Sequence, residues 1–342
     1  MMLRSDQLEA PPVETPAQVL HADALVWDQH GCLPLTPDGS AIDSLELYAE
    51  SGVDFVSINV GMDATPPLQT LRVISAFRHA VRQRDDRYVL ARSAQDVVLA
   101  KETGRLAVGF DLEGTEPLDG SLDMIETYYD LGVRTMLIAY NEPNRAGGGC
   151  HGNPDVGLTQ FGKAVVREMN RVGMVVDATH CSRRTTFDLF ELSSSPVVFS
   201  HSVPATVKEH PRNIDDAQML ACAETGGVIG INGVGIFLGD NDATTRSLVR
   251  AIDHAVELVG SQHVGLGLDF VFDRTELTAF VNGSSNTFPA GYGYIEYGSL
   301  EFASPAQLPE VTGALINRGY STSDVRNILG GSFLRVANQV WR

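Results

Sequence analysis

The stretch Met174-Val-Val-Asp-Ala-Thr-His180 and the later stretch Val197-Val-Phe-Ser-His-Ser202 decide the fold class of this chain. In both, a short and continuously apolar run ends in polar residues that include a histidine. Runs of this kind are typical of parallel strands that are buried on both faces. Parallel neighbours require a crossover connection, which is usually a helix. The two stretches therefore predict parallel strands that bring His180 and His201 to the same edge.

The same pattern recurs along the whole chain and predicts eight strands. They are Ala24–Trp27, Phe55–Ile58, Leu106–Phe110, Thr135–Ala139, Met174–Val176, Val197–Phe199, Val228–Ile231 and Val264–Leu268. Segments with helical periodicity lie between them, for example Ser44–Ser51, Ile125–Leu131, Phe161–Val172 and Thr244–Leu258. Eight strands alternating with helices favour an α/β fold of the closed (β/α)₈ type, a TIM-like barrel. Periodicity alone leaves a doubly wound open sheet as the alternative.

No repeat, low-complexity tract or linker divides the 342 residues, so we expect a single barrel domain spanning 1–342. The first 20 residues are polar and contain prolines. Residues 271–300 are rich in Gly, Ser, Asn and aromatic residues, which predicts a long loop or lid after the eighth strand. Residues from about 305 to 342 are predicted to form C-terminal helices.

The composition excludes several classes of partner. The formal net charge of −18 repels phosphate backbones and anionic lipid headgroups, so neither nucleic acid nor membrane is an expected partner. No run of 18 apolar residues is present, which argues against a membrane-spanning helix. The four cysteines form no C-x-x-C pair, and we therefore expect a reduced, cytoplasmic protein.

Polar side chains follow most of the predicted strands. Five of them have metal-ligand or acid–base chemistry: His30, Glu113, His180, His201 and Asp269. The carboxyl ends of barrel strands share one rim, where catalytic groups collect. Imidazole and carboxylate donors suit zinc, and a central carboxylate can bridge two metal ions. The sequence therefore predicts a metal site at the C-terminal rim of the strands.

A single histidine at a strand end is more often a hydrogen-bonded structural residue than a ligand. Three histidines and two carboxylates at one rim favour the metal site over that alternative. Five other histidines are interpreted as surface or structural residues: His21, His79, His210, His254 and His263. Asp111 and Glu116 are interpreted as solvated loop charges. Asp28 fits either a carboxylate that orients a ligand or a turn-capping residue.

The sequence resembles the renal or membrane dipeptidase family, zinc enzymes that cleave dipeptides. The resemblance runs from about Asp23 to Arg335. Its motifs are Gly157-Leu-Thr-Gln-Phe-Gly, Gly173-Met-Val-Val-Asp-Ala-Thr-His180, Ser200-His-Ser202, His210-Pro-Arg-Asn213, Gly226-Gly-Val-Ile-Gly-Ile-Asn232, Gly267-Leu-Asp-Phe270 and Gly330-Gly-Ser-Phe-Leu-Arg335. A long ordered series of this kind is specific, whereas one such motif alone would not be.

The resemblance implies a role for each matching residue. It implies that His30, His180 and His201 bind metal and that Glu113 bridges two metal ions. It implies one or two zinc ions per chain, and family members are often homodimers. Two further matches concern the substrate: Arg212 would grip its carboxylate, and Asp269 would lie near its amine or the catalytic water.

Two positions depart from the family pattern. The family's H-x-D motif is here His30-Gly31-Cys32, so a thiol replaces a carboxylate ligand. A thiolate is a good zinc ligand, and the alternative for Cys32 is a small buried apolar residue. Tyr140 stands where the family has a histidine that is thought to contact substrate, and we expect it to donate a hydrogen bond to the oxyanion.

These residues support a metal-dependent hydrolase of small amides as the first hypothesis, and specifically a dipeptidase for dipeptides with a free C-terminal carboxylate. In this mechanism Glu113, Tyr140 and Asp269 are catalytic, with Asp269 moving a proton to the leaving amine. Arg212, Tyr140 and Asn232 would contact the substrate. One alternative is a hydrolase of N-acyl amino acids or other small amides. The other is a non-catalytic, metal-poor binding homologue.

Overall fold

Short runs of Val, Ile and Leu pair as parallel strands and close into a barrel in this computed structural model, which describes residues 15–342. The strands are β1 Trp27–Cys32, β2 Phe55–Met62, β3 Tyr88–Leu90, β4 Leu106–Glu113, β5 Val133–Leu137, β6 Val175–Asp177, β7 Val197–Ser202, β8 Ile229–Ile231, β9 Val264–Leu266 and β10 Phe270–Val271. The ring order is β1-β2-β4-β5-β6-β7-β8-β9. Pairing of Asp28 with Leu266 closes the ring. The predicted (β/α)₈ class is confirmed, and the open sheet is excluded.

Two short strands lie outside this ring. β3 pairs with the outer edge of β4, and β10 pairs with β1. The helices are α1 Pro16–Asp23, α2 Glu46–Glu50, α3 Pro67–Arg82, α4 Ala94–Glu102, α5 Asp123–Leu131, α6 Gln160–Val172, α7 Arg183–Leu192, α8 Asp216–Glu224, α9 Gly235–Leu238, α10 Thr245–Val259, α11 Arg274–Gly283, α12 Leu308–Asn317, α13 Thr322–Arg326 and α14 Ser332–Val340. Most of them surround the strands, as the alternating sequence pattern predicts.

Helix α6 illustrates how local sequence defines these helices. The Thr159 side chain accepts a hydrogen bond from the Gly162 amide, which caps the first turn. At the other end Gly173 adopts φ 90°, a conformation that glycine reaches without steric cost. Between these caps, Val165 and Met169 lie on the buried face and pack into the core. The helix thereby connects β5 to β6, and β6 is the strand that leads to His180.

The N-terminal end of the barrel is closed by aromatic side chains. Trp27 and Phe55, the first residues of β1 and β2, stack with ring centroids 3.8 Å apart. Phe333 of α14 stacks on Trp27 with centroids 6.3 Å apart. Trp341 packs against the rings of Trp27 and Phe55. This end is a packed apolar core, so a polar site is left to the opposite rim.

The first predicted strand was placed too early. The prediction was Ala24–Trp27, whereas β1 begins at Trp27 and extends to Cys32. Ala24 instead caps α1, because its amide donates to the Leu20 carbonyl. Consequently His30 lies within the strand rather than after it, and the same holds for Glu113 at the end of β4.

The predicted loop 271–300 is wrong in its first part, which forms the end of β10 and then α11. The Asp273 carboxylate accepts hydrogen bonds from the Thr275 and Glu276 amides and so starts the helix. Apolar residues at 277, 280 and 281 give it one buried side, a short periodic signal that the flanking glycines obscured. Residues 284–300 contain neither helix nor strand.

The predicted segments at the two ends of the chain can be compared with the structure. Residues 1–14 of the polar segment 1–20 lie outside the described residues, and α1 begins at Pro16. Helices α12, α13 and α14 occupy the region where C-terminal helices were predicted. Within residues 15–342, no helix combines the length and apolarity that crossing a bilayer requires.

Candidate active site

Three buried histidines direct one ring nitrogen each at the same carboxylate oxygen. The Nε2 atoms of His30, His180 and His201 lie 3.6, 3.3 and 3.5 Å from Oε1 of Glu113. His30, Glu113 and His201 lie in β1, β4 and β7, and His180 lies in the loop after β6. These positions are far apart along the chain. The barrel therefore brings together the four candidate metal ligands that the sequence singled out.

The other ring nitrogen of each histidine is held by an oxygen. Nδ1 of His30 lies 3.2 Å from Oδ1 of Asp111, and Nδ1 of His180 lies 2.7 Å from Oδ1 of Asn141. An ionised carboxylate and an amide oxygen only accept hydrogen bonds, so the proton is on Nδ1 in both rings. Both Nε2 atoms then face Glu113. That of His180 carries a lone pair, whereas the carboxylates around His30 outweigh its burial and raise its pKa well above the usual value, which favours a proton on Nε2 as well.

His201 is held in the same tautomer by a relay. Its Nδ1 lies 2.8 Å from the Ser200 hydroxyl, and that hydroxyl donates to the Asp177 carboxylate. Since Ser200 uses its proton on Asp177, its oxygen accepts the proton of His201 Nδ1. All three rings are thus oriented by a hydrogen-bond partner, which is the usual arrangement around metal-binding histidines.

This set of donors fits a divalent cation. The Nε2 atoms of His180 and His201 are only 3.0 Å apart, and in these tautomers neither carries a proton. Two lone pairs and a carboxylate at such a separation repel one another unless a cation lies among them. Imidazole and carboxylate donors are the ligands that zinc commonly takes in catalytic sites.

A second group of candidate ligands shares His30. The Cys32 sulfur lies 3.4 Å from His30 Nε2 and 3.6 Å from Oδ1 of Asp269, and Asp269 lies 3.7 Å from His30 Nε2. The two groups, His30 with Glu113 and His201, and His30 with Cys32 and Asp269, each bring their donor atoms within 4.8 Å of one another. The centre therefore has donors for two adjacent ions.

Burial governs the ionisation of these groups. It raises the pKa of Glu113 to about 8, although the neighbouring His30 opposes the rise. It also raises the pKa of Cys32 to about 12, again against His30, and holds the pKa values of His180 and His201 well below their usual range. A bound cation favours the deprotonated form of each of these donors and so acts in the opposite direction on the acids.

Two further aspartates are buried near His30, Asp28 in β1 and Asp111 in β4. Asp111 was interpreted as a solvated loop charge, which is wrong, because it lies in β4 and contacts His30 and the Ser57 hydroxyl. Asp28 accepts hydrogen bonds from the amides of Leu268 and His30. Both bonds hold backbone amides, so Asp28 fixes the main chain around His30 and before Asp269 rather than the ring of a ligand.

Asp269 is fixed by Asn232. The Asn232 amide donates to Oδ2 of Asp269 at 2.9 Å, and its oxygen accepts from the Val234 amide at 2.6 Å. Asp269 has φ 56°, an unusual conformation for a residue with a side chain. Asn232 was predicted to contact substrate, but it is fully buried and its side chain is occupied by these bonds. Its observed geometry is that of a residue that positions Asp269.

Tyr140 lies flat against a candidate ligand. Its ring stacks on His180 with centroids 4.2 Å apart, and burial raises its pKa well above the usual value. Its backbone amide donates to Asp63, whose carboxylate also accepts from the Glu116 amide and the Asn144 side chain. Asp63 was not recognised in the sequence, since nothing local distinguishes it from an ordinary loop aspartate.

Arg212 is buried without an anionic partner. Its side chain is 3% exposed, and one guanidinium nitrogen donates to the His201 carbonyl at 3.3 Å. Its Nε has no hydrogen-bond partner, and within residues 15–342 no carboxylate lies within ion-pair distance. A buried guanidinium with free donors is costly unless an anion binds it, and a carboxylate matches its two-pronged geometry.

One cavity of about 300 Å³ joins these features. It is lined by Cys32, Glu113, Tyr140, His180, Arg212 and Asp269, and otherwise mainly by apolar side chains. A concave, largely apolar pocket with a few convergent polar groups is typical of a small-molecule site. One molecule bound in this cavity can therefore contact both the Arg212 guanidinium and the candidate metal centre.

The amino-acid sequence matches the model of one protein family. Residues 45–282, well over half of the chain, match the family described as Membrane dipeptidase (Peptidase family M19). The matched region includes Glu113, His180, His201 and Arg212. It ends within α11, beyond the last strand of the barrel.

Curated relatives carry related names. An uncharacterized dipeptidase of Schizosaccharomyces pombe is 35% identical over 209 residues, which cover 59% of this chain and 50% of that protein. The dipeptidase verJ of Clonostachys rogersoniana is 30% identical over 277 residues, 79% of this chain and 65% of that protein. The chain thus spans about half to two thirds of the length of these relatives.

Solved structures share the whole architecture. An amidohydrolase from Pseudomonas aeruginosa superposes with a TM-score of 0.86 at 27% identity, covering 95% of this chain and 99% of that one. The probable dipeptidase PvdM from the same organism has a TM-score of 0.79 at 21% identity, covering 95% and 97%, which shows the common fold. Family model, relatives and fold agree, and this chain belongs to the membrane dipeptidase family.

Proposed function

We propose that this chain is a zinc-dependent dipeptidase that hydrolyses dipeptides with a free C-terminal carboxylate. The observation that carries the proposal is that Glu113, on which three imidazole Nε2 atoms converge, and the Arg212 guanidinium, which lacks an anion, line the same cavity. The first feature suits a metal that activates water, and the second suits a substrate carboxylate. Membership of a metallopeptidase family supports both.

The residues that would hold metal are His30, Glu113, His180, His201 and, at one position, Cys32. Glu113 contacts all three histidines through one oxygen, so it would be the ligand that the whole set has in common. A bound divalent metal supplies Lewis acidity and lowers the pKa of water towards neutrality.

The chain's own groups would then orient the substrate and move protons. Arg212 binds the C-terminal carboxylate and fixes the scissile carbonyl beside the ligand cluster. Asp269, held by Asn232, accepts a proton from the attacking water and passes it to the leaving amine. Tyr140 stays protonated because burial raises its pKa, and its hydroxyl donates to the developing oxyanion.

A hydrolase of N-acyl amino acids is the second candidate, because the larger part of the cavity wall is apolar. The two activities share the metal chemistry and the carboxylate contact. They differ only in whether the group on the amino side of the scissile bond carries a free amine. A panel containing both substrate types separates them.

The test combines metal analysis with substrate hydrolysis by the protein as purified. We expect at least one tightly bound zinc per chain and turnover of dipeptides with a free carboxylate. His180→Ala and His201→Ala should each lose most of the metal and the activity, whereas His79→Ala, at an exposed site on α3, should keep both. A metal stoichiometry near zero in protein never exposed to chelator would contradict the proposal and favour the metal-poor binding homologue.

The carboxylate contact has its own test. Amidation of the substrate carboxylate, or the Arg212→Ala substitution, should lower kcat/KM. The loss of transition-state stabilisation should be about 2–5 kcal/mol, because the remaining charge is left unpaired. The two changes together should cost little more than either alone. Arg72→Ala, on an exposed part of α3, is the control. Wild-type efficiency of Arg212→Ala on free-carboxylate substrates would refute the assignment.

A further inference from the structure

The order of strands defines two opposite sides of the cavity mouth. In the eight-membered ring, β2 and β7 are separated by three strands in either direction, so their C-terminal ends face each other across the barrel. Arg212 lies in the loop after β7, and its guanidinium contacts the carbonyl of His201 in that strand. A substrate carboxylate bound there directs the other end of the substrate across the metal centre, towards the ends of β1 and β2.

That opposite side is apolar. The residues directly after β1 are Leu33, Pro34 and Leu35, and β2 ends in Met62, with Pro66 shortly after it. All of them line the cavity. The polar Thr65 is engaged, because its hydroxyl accepts a hydrogen bond from the Met62 amide. This side therefore offers mainly carbon surface, and the exposed side-chain amide of Gln69 is the polar exception.

Helix α11 adds further apolar groups to the cavity wall. Leu277 and Phe280, one turn apart, both line the cavity. The Phe280 ring packs against Phe288 at 5.3 Å, and Phe288 packs against Tyr140 at 6.3 Å. The apolar side chains of α11 are thus in continuous contact, through Phe288, with Tyr140. Asp273 and Glu276 also line the cavity. The Asp273 carboxylate caps the helix, which leaves the exposed Glu276 as the acidic group that α11 presents.

We propose that this chain selects substrates with a bulky apolar group on the amino side of the scissile bond. The subsite consists of Leu35, Met62, Leu277 and Phe280. The inference rests on the proposed function, since the assignment of sides follows from a carboxylate on Arg212. Burying apolar substrate surface against these side chains is favourable in proportion to its area, whereas an acidic side chain there would lose its hydration and would share the cavity with the Glu276 carboxylate.

The experiment measures binding and turnover separately. Binding of phosphinic dipeptide analogues, with alanine on the carboxyl side and leucine, phenylalanine, glycine, aspartate or lysine on the amino side, is followed by calorimetry. Hydrolysis of the corresponding dipeptides is measured in parallel. We expect leucine and phenylalanine to be preferred over glycine and aspartate by roughly 10–100-fold, the range that apolar pockets achieve.

Variants locate the preference. Leu277→Ala with Phe280→Ala should lower it about tenfold, whereas Thr278→Ala, exposed on the same helix, should leave it unchanged. Because the double variant also loosens the packing of α11 on Phe288, Leu35→Asp serves as a second test on another element. It should reduce binding of the leucine analogue and improve binding of the lysine analogue.

Each outcome decides the inference. Equal binding of all analogues, or a preference that these variants do not alter, overturns the inference while measured hydrolysis keeps the proposed function. Selective binding without hydrolysis of any amide supports the subsite and contradicts the proposed function. Absence of binding by every analogue contradicts both.

Discussion

At the scale of single residues, the candidate centre depends on side chains that hold other side chains. Each of the three histidines has its Nδ1 fixed by an oxygen, from Asp111, Asn141 or Ser200. Such partners fix the tautomer and the ring orientation, and their loss weakens metal binding even though they do not touch the metal.

Asp111 gives the sharpest test of this dependence. Asp111→Ala removes the acceptor of His30 Nδ1 and should weaken metal binding about 10–100-fold, while Asp111→Asn, which retains an oxygen acceptor, should weaken it less. Competition with a chromophoric chelator measures the affinity of each variant. Asp86→Ala, at an exposed site, serves as the control. If Asp111→Ala binds metal as tightly as the unaltered protein, the ring of His30 is held by packing alone.

Cys32 gives a second test at this scale. If its thiolate is a ligand, Cys32→Ser should lower the metal content of one position while the position at Glu113, His180 and His201 stays occupied. Bound metal should also protect the thiol from alkylation, and chelation should expose it. Cys32→Asp should restore the lost metal. Unchanged metal content in Cys32→Ser would show that the thiol only packs beside the centre, with Asp269 completing the ligand set.

At the scale of elements, the sequence predicted the order of strands better than their ends. The first strand was placed three residues early because Ala24–Trp27 is continuously apolar, whereas β1 contains Asp28 and His30. Its true extent is decided by pairing with β2 and β10, which are distant in sequence. Polar residues are tolerated inside it because their partners come from other strands, and a single-chain pattern cannot show those partners.

The same limitation applies to the candidate site. The ligand types at strand ends were visible in the sequence, because His and Glu after apolar runs are unusual. Asp63 and Asp111 were not, since a buried aspartate and a solvated one look alike until the third dimension supplies their donors. Only the packed loops show that Asp63 joins the segments containing Glu116 and Tyr140.

A glycine in the loop after β4 allows the role of Asp63 in connecting these segments to be tested. Gly114 has φ 124°, and a Cβ added there would lie 2.0 Å from Oδ1 of Asp63. Gly114→Ala should therefore destabilise the fold by on the order of 1–3 kcal/mol and reduce turnover, because Asp63 must release Tyr140. Gly104→Ala is a matched control: φ is also positive, at 67°, but nothing lies within 4 Å.

Urea unfolding and kcat/KM distinguish steric displacement from backbone strain alone. Strain at both glycines should lower stability, but only the change at Gly114 should lower activity. If both variants lose stability equally and neither loses activity, the contact between Gly114 and Asp63 does not position Tyr140.

At the scale of the whole molecule, the candidate ligands come from strands all around the barrel. His30, Glu113, His180 and His201 are separated by up to 171 residues along the chain (201 − 30 = 171), and they meet only after the ring has closed. Metal bound by all four therefore binds the native state far better than the unfolded chain. Without a cation, the facing lone pairs and the buried Glu113 oppose closure.

Removal of metal should consequently lower the stability of the entire barrel. At a free metal concentration of 1,000 times Kd the stabilisation is about 4 kcal/mol, which corresponds to a change in Tm on the order of 5–10 °C. Calorimetry before chelation, after chelator has been dialysed away, and after zinc is added back measures the loss and its recovery. The double variant His180→Ala/His201→Ala should show a much smaller shift under the same treatment. A chelated protein that has lost its metal yet melts at the original temperature would show that the four strands are held together by packing alone, and that the donors converge without contributing metal-linked stability to the native state.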